Sequence, residues 1–172
     1  LDYLKNEFVF SASSLNTYMS CPLKFYFHYV LRLTEKEDFL EEPEGADVGT
    51  FIHELLEDEM RPFIGGKPSY SAAFTKSFFA AFENKFREEF AKKMGSDSIA
   101  VREVMLYRLR RFLEYDSKRD VSVIVGLEKE YNGRLSLAKH TIRCTAKVDR
   151  LETNANGDIV VIDYKTGGKV KT

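Results

Sequence analysis

Apolar residues recur at helical spacing between Leu15 and Leu113 and at alternate positions from Val121 onward. The cluster Ser11-Ala12-Ser13-Ser14 supplies helix-capping hydroxyls ahead of Leu15, Tyr18 and Met19, so a helix is expected to begin near Ser13 or Ser14. Cys21-Pro22 interrupts it. Pro22 suits the first turn of a second helical stretch over 23–31, whose near-continuous apolar run predicts burial against the rest of the domain. Residues 34–47 are acidic, contain Pro43 and Gly45, and read as an exposed connection. Ile52, Leu55 and Leu56 predict a helix over 48–60 that contains His53 and is closed by Pro62, Gly65, Gly66 and Pro68. Phe74, Phe78, Phe82, Phe86 and Phe90 recur every fourth residue, which predicts a long helix whose aromatic stripe packs in a core rather than stacking bases. Asp97 and Ser98 can cap a further helix with Val101, Val104, Met105, Leu109, Phe112 and Leu113 on its apolar face, ending near Lys118.

Beyond Asp120 the period shortens to two. Val121, Val123, Val125 and Leu127 alternate with their neighbours, and Asn132-Gly133 predicts a hairpin turn. Ile142, Cys144, Ala146 and Val148 define one face of a further strand, 153–158 reads as a turn, and Ile159-Val160-Val161-Ile162 as a near-continuous apolar strand. Helices followed by at least three strands predict an α/β fold: N-terminal helices packed on a small mixed β-sheet, with any site at the sheet's end.

Composition narrows this picture. A chain of 172 residues, 44% hydrophobic and 31% charged, fits one globular domain over 1–172, and 14 Phe with no Trp predict a core built on phenylalanine. No run approaches the roughly 20 apolar residues of a membrane helix, and the first residues lack a signal-peptide pattern, so a cytoplasmic protein is expected. Cys21 and Cys144, far apart, define neither a disulfide framework nor a four-thiolate metal site, which fits a reducing compartment. With 26 Lys plus Arg against 27 Asp plus Glu there is no bulk signature of nucleic-acid binding, so any DNA contact requires a local basic strip. A start without Met and an end after Gly167-Gly168 read as a fragment of a longer polypeptide.

The chemistry centres on Asp163-Tyr164-Lys165. Residues two apart on a strand share a face, so Asp163 and Lys165 leave the apolar strand together at the sheet's end. Folding the chain back about Asn156 sets Thr153 against Ile159 and Leu151 against Val161, and brings Asp149 opposite Asp163. Cross-strand partners have Cβ atoms about 5 Å apart, where two carboxylates repel unless a cation lies between them. Carboxylates are the hard oxygen ligands of Mg²⁺, and a nearby lysine can orient a water or offset developing charge, the parts needed for phosphodiester hydrolysis. The alternative is that Asp149 pairs with Arg150 or Lys147 while Asp163 is a solvated strand end. On the residues alone the two readings are nearly balanced.

The segment Lys147-Val148-Asp149-Arg150-Leu151, then Gly157-Asp158, then Val161-Ile162-Asp163-Tyr164-Lys165-Thr166-Gly167, resembles the signature of RecB-type and AddB-type nuclease domains of the PD-(D/E)XK superfamily. Ser13-Ser14-Leu15-Asn16-Thr17-Tyr18 with Cys21-Pro22-Leu23-Lys24-Phe25-Tyr26-Phe27 resembles their helical N-terminal signature, and Gly49-Thr50-Phe51-Ile52-His53 their glycine-to-histidine motif. The resemblance runs in order from about Phe10 to Lys165. It implies a restriction-endonuclease-like core, C-terminally truncated here, because the superfamily continues into a helix bearing Gln and Tyr. It further implies that Asp149, Asp163 and Lys165 are catalytic, that His53, Asp149, Asp163 and the Tyr164 main-chain carbonyl bind metal, and that Glu128 is a secondary candidate, exchangeable with Glu130 by a small register change. Asp149, Asp163 and His53 are then expected to converge.

Mg²⁺, with Mn²⁺ as a substitute, is the implied cofactor. The implied activity is a deoxyribonuclease, an exonuclease leaving a 5′-phosphate, with DNA as partner and a helicase domain or subunit in the parent protein. A non-catalytic DNA-binding or scaffold domain that retains the nuclease fold is the alternative, and a small-molecule phosphohydrolase would need more than Gly167-Gly168 as a phosphate cradle. AddB-type domains clip themselves with one early and three late cysteines; the three late ones are absent, so Cys21 is expected to be a buried structural residue and not an iron–sulfur ligand. Ala146 stands where the family often has Gly.

Overall fold

A computed structural model of the chain describes residues 3–4, 7–33, 45–90, 98–137 and 140–165. These form two compact units, the first drawn from Leu1–Leu40 and Lys129–Val148, the second from Glu41–Glu128 and Asp149–Thr172.

In the first unit, β1 (Val9–Phe10) leads into α1 (Ala12–Ser20). Ser11 and Ser14 close a reciprocal capping box: the Ser14 amide donates to Ser11 Oγ at 3.1 Å and the Ser11 amide to Ser14 Oγ at 2.9 Å. α2 (Pro22–Phe25) follows, with Pro22 in its first turn as expected, and runs into a π-helical turn over Tyr26–Val30. Two expectations are corrected here. The stretch over 23–31 is not buried as a whole: Phe25 is, ringed by Phe8, Phe10, Tyr18 and Tyr29, but Leu23, Tyr26, Phe27 and Leu31 are exposed. An unbroken apolar run occupies every side of a helix, while only one side can seat against a core. Cys21 is exposed rather than buried, because it is the N-cap of α2, its Sγ accepting from the Lys24 amide at 3.4 Å.

The second unit holds the main core. α3 (Gly45–Met60) begins inside the segment expected to be a connection, the rest of which lies outside the described residues. α4 (Ala72–Glu89) is capped by Ser71, which accepts from the Phe74 amide, and α5 (Ser98–Asp116) supplies the third helical wall. The aromatic stripe packs as its spacing predicts: Phe78, Phe82, Phe86 and Phe90 are buried, and Phe74 is partly so. Phe86 stacks on Phe82 and Phe90 at 5.7 and 5.5 Å, while Phe51 of α3 meets Phe82 and Phe90 edge-on. Burying each such ring is worth roughly 1.5–3 kcal/mol, which makes this layer the anchor for α3 and hence for His53.

Two long strands follow, β2 (Val123–Leu137) and β3 (His140–Thr153), then the short β4 (Ile159–Ile162). Hydrogen-bonded neighbours run β1-β3-β2, with β4 also paired to β3; β1 lies parallel and β4 antiparallel to β3, giving the small mixed sheet expected. Asn132-Gly133 does not turn the chain. It sits exposed within β2, and the connection to β3 falls at 138–139, outside the described residues. The dipeptide favours a turn only where strand pairing does not continue past it. The β3–β4 hairpin has the register read from sequence, Thr153 opposite Ile159, Leu151 opposite Val161 and Arg150 opposite Ile162. Asn154 closes its turn, accepting from the amides of Asn156 and Asp158 at 2.9 Å, and Gly157 takes the φ of 84° that glycine allows there.

Candidate metal centre

Every residue of the site belongs to the second unit. His53 sits on α3 beside the buried Phe51 and Ile52, at the margin of the apolar stripe, so its ring leaves the core with 26% of the side chain exposed. Its Nδ1 lies 3.1 Å from Glu128 Oε1 and 3.6 Å from Asp149 Oδ1, and its Nε2 lies 2.9 Å from the main-chain carbonyl of Tyr164. Asp149 stands just past the last paired residues of the β3–β4 ladder, where its Oδ2 accepts from the Tyr164 amide at 2.6 Å. Tyr164 thus spends its amide on one site residue and its carbonyl on another, while its ring lies edge-on to both His53 and Phe112.

Glu128 reaches the site through a break in β2. Ile124 and Gly126 alternate as buried positions, then Leu127 and Glu128 are both partly buried, and Glu128 has φ of 45°, a left-handed backbone that costs an L-residue about 1 kcal/mol or more. This one-residue kink aims the carboxylate at His53. Glu130 instead accepts a hydrogen bond from Thr145 within the first unit. Glu128→Gly is therefore expected to be more stable than Glu128→Ala by about 1 kcal/mol, because both lack the carboxylate and glycine alone tolerates the backbone. Urea melts of the two variants check this, and equal midpoints would mean that φ is not held.

His53, Glu128 and Asp149 offer ligand atoms all within 4.8 Å of one another. Asp163 is not in this group. Its carboxylate pairs with Lys165 Nζ at 2.7 Å, with both side chains more than half exposed, and this contact draws the lysine ammonium above its ordinary pKa. The register sets Asp163 across from Asp149, but pairing ends at Ile162, and the chain beyond is tied down by the amide and carbonyl of Tyr164 rather than by Asp163.

The donor set suits a cation. The Tyr164 carbonyl only accepts, so Nε2 carries a proton, and a neutral imidazole then turns a bare Nδ1 toward two carboxylates. That acceptor-to-acceptor arrangement is relieved by a second ring proton or by a metal ion. One histidine nitrogen and two carboxylates are hard or borderline donors of the kind that hold Mg²⁺ or Mn²⁺, whereas the Tyr164 carbonyl, expected from the resemblance to be a ligand, is engaged with Nε2 on the other side of the ring.

Behind Asp149 lies a group of charges that the sequence did not reveal. Arg150 is fully buried, with Nη1 2.5 Å from Asp116 Oδ2 and Nη2 2.7 Å from Glu152 Oε2; Arg119 pairs with the same two carboxylates, and the Tyr70 hydroxyl donates to Asp116. Arg150 therefore does not pair with Asp149, which removes one of the two partners the alternative reading named. Burial opposes ionisation of Asp116, but the Tyr70 hydroxyl and the two guanidinium groups outweigh it and hold the carboxyl below its usual value. The signal was present in outline: Asp116 follows Leu109 and Leu113 on the buried face of α5, and Arg150 and Glu152 are two apart on one strand.

A largely apolar groove opens beside Tyr164. It measures about 1020 Å³, lies between α3, α5 and β4, and is lined by Arg108, Arg111 and Arg119 together with Asp163, Tyr164 and Lys165.

Residues 9–172 match the family model of the PD-(D/E)XK nuclease superfamily, and the chain belongs to that superfamily. Among curated proteins it is 25% identical over 180 residues to an uncharacterized protein of Rickettsia typhi, a match covering 92% of this chain and 18% of the relative. It is 25% identical over 178 residues to an ATP-dependent helicase/deoxyribonuclease subunit of Carboxydothermus hydrogenoformans, covering 91% of this chain and 16% of that protein. The like-named protein of Streptococcus agalactiae serotype Ia is 24% identical over 165 residues, covering 92% and 14%. The chain thus spans less than a fifth of the length of these relatives. Among the described residues no helix is long and apolar enough to cross a membrane.

Proposed function

We propose that this chain is the nuclease portion of a longer helicase–nuclease protein of the cytoplasm, a divalent-metal-dependent deoxyribonuclease that hydrolyses DNA to leave 5′-phosphates, acting from strand ends. The observation that carries the reading is the His53 ring held between the carboxylates of Glu128 and Asp149 and the carbonyl of Tyr164. His53, Glu128 and Asp149 would hold the ion, while Asp163, paired with Lys165, stands outside that group. Mg²⁺, or Mn²⁺ in its place, would supply Lewis acidity at that point when bound. Lys165 orients the water and offers positive charge to the phosphoryl oxygens as the new P–O bond forms and the P–O3′ bond breaks, the water's proton passing to solvent and the leaving O3′ taking one up from solvent. Arg108 and Arg111 hold backbone phosphates next to the site.

The Asp163–Lys165 ion pair favours a second reading, a non-catalytic DNA-binding or scaffold domain, because both groups are engaged with each other. Mn²⁺ titration calorimetry and degradation of end-labelled DNA separate the two. The nuclease reading expects saturable Mn²⁺ binding weakened at least about tenfold by His53→Ala, and cleavage that stops with chelator. DNA binding without Mn²⁺ binding or cleavage would favour the scaffold.

A further inference from the structure

We propose that Arg150 is a positioning residue for the metal centre: clamped by Asp116 and Glu152, it fixes β3 at Asp149 and the ring of Tyr164, and so lines up both contacts that Tyr164 makes. The inference rests on the metal reading above for its consequence, but the alignment itself is a property of the metal-free chain.

Three observations converge. Arg150 follows Asp149 directly, and it has no exposed surface, so displacing its guanidinium means displacing the strand that carries Asp149. The Tyr164 hydroxyl is buried and holds no well-formed hydrogen bond; the ring is placed by Phe112 and His53, with the Arg150 guanidinium close enough to the hydroxyl to act on it. Arg150 itself leaves Nε without a partner and holds Glu152 through Nη2 off the hydrogen-bonding axis.

A cluster optimised for stability alone would not look like this. Two arginines, Asp116 and Glu152 carry no net charge together, and replacing such a buried ionic set by apolar residues of similar volume is often neutral or stabilising. What an apolar set lacks is direction. The guanidinium fork joins α5 through Asp116 to β3 through Glu152, and the stretch so fixed ends at the Asp149 carboxylate, the acceptor of the Tyr164 amide.

The test compares the parent chain with Arg150→Lys, which keeps the charge but loses the fork, and with the combined variant Asp116→Leu, Arg150→Met, Glu152→Leu. Arg119 is partly exposed and can turn to solvent in the latter. Thermal melts, hydrogen exchange at the Tyr164 amide without metal, and Mn²⁺ calorimetry are measured on each. The combined variant is expected to melt at or above the parent, yet to lose protection at the Tyr164 amide at least about tenfold relative to core amides such as Phe82, and to bind Mn²⁺ about tenfold or more weakly. Parent-like Tyr164 protection and Mn²⁺ affinity in a variant that melts like the parent would overturn the proposal and leave the cluster a purely structural one. Should the combined variant not fold, Arg150→Lys is judged by the same two readings. If the parent binds no Mn²⁺, the metal reading fails, while Tyr164 protection still decides whether Arg150 aligns it.

Discussion

Asp149→Asn is expected to lower metal-dependent DNA cleavage by about a thousandfold while leaving the fold intact, an effect on the scale of removing a central electrostatic group from a hydrolytic site. The asparagine amide oxygen can still accept from the Tyr164 amide, which Asp149 now does at 2.6 Å, so the end of the hairpin stays tied. What is lost is one of the two carboxylate charges facing His53 Nδ1. Without metal those carboxylates repel, so the variant should melt at or slightly above the parent. Calorimetry should show Mn²⁺ binding reduced in step with cleavage. Retained cleavage with parent-like Mn²⁺ affinity would remove Asp149 from the metal set. Asp163→Asn in parallel is informative because Asp163 lies outside the three-residue group: a cleavage loss without loss of Mn²⁺ affinity places it with Lys165 on the substrate rather than on the ion.

The residues that made this site legible in sequence are those whose position follows from local rules. Asn154, Gly157 and Asp158 define a turn by their own hydrogen bonds and backbone freedom, so the register that carries Asp149 to the hairpin's end could be counted off. The phenylalanine stripe was legible for a similar reason, since a four-residue repeat allows one helix face and that face packs. Sequence failed where a single backbone angle or a distant partner decides. Glu128 and Glu130 are equivalent to a period-two pattern, and only the left-handed φ at Glu128 selects the first. Asp163 shares a face with Lys165 in any strand model, but whether it meets a metal or that lysine depends on where pairing stops. Arg150, Glu152 and Asp116 each read as surface charges when taken one at a time, and their burial follows only from meeting one another across 34 positions of chain.

That mutual dependence predicts a large stability effect. Arg150→Met alone is expected to cost about 3–5 kcal/mol at pH 7, because it strands Asp116 and Glu152 in a buried site with Arg119 as their remaining cation. The penalty should depend on pH with a definite sign. In the parent, burial disfavours the Asp116 carboxylate, but the Tyr70 hydroxyl and the guanidinium groups more than compensate and depress its pKa below the ordinary carboxylate value. A depressed carboxyl contributes stability that is fully present above the unfolded value and is lost as pH falls through the folded one. Removing Arg150 takes away one cause of the depression and leaves burial in place, so Asp116 protonates more readily in the variant. Acid then relieves the stranded charge in the variant while it erodes the ion pair in the parent. The stability gap, read from urea melts at pH 7, 5 and 3.5, should narrow steadily toward the acid end. A gap below about 1 kcal/mol at pH 7, or one that stays constant down to pH 3.5, would mean that Arg150 does not hold the Asp116 carboxylate in its charged form.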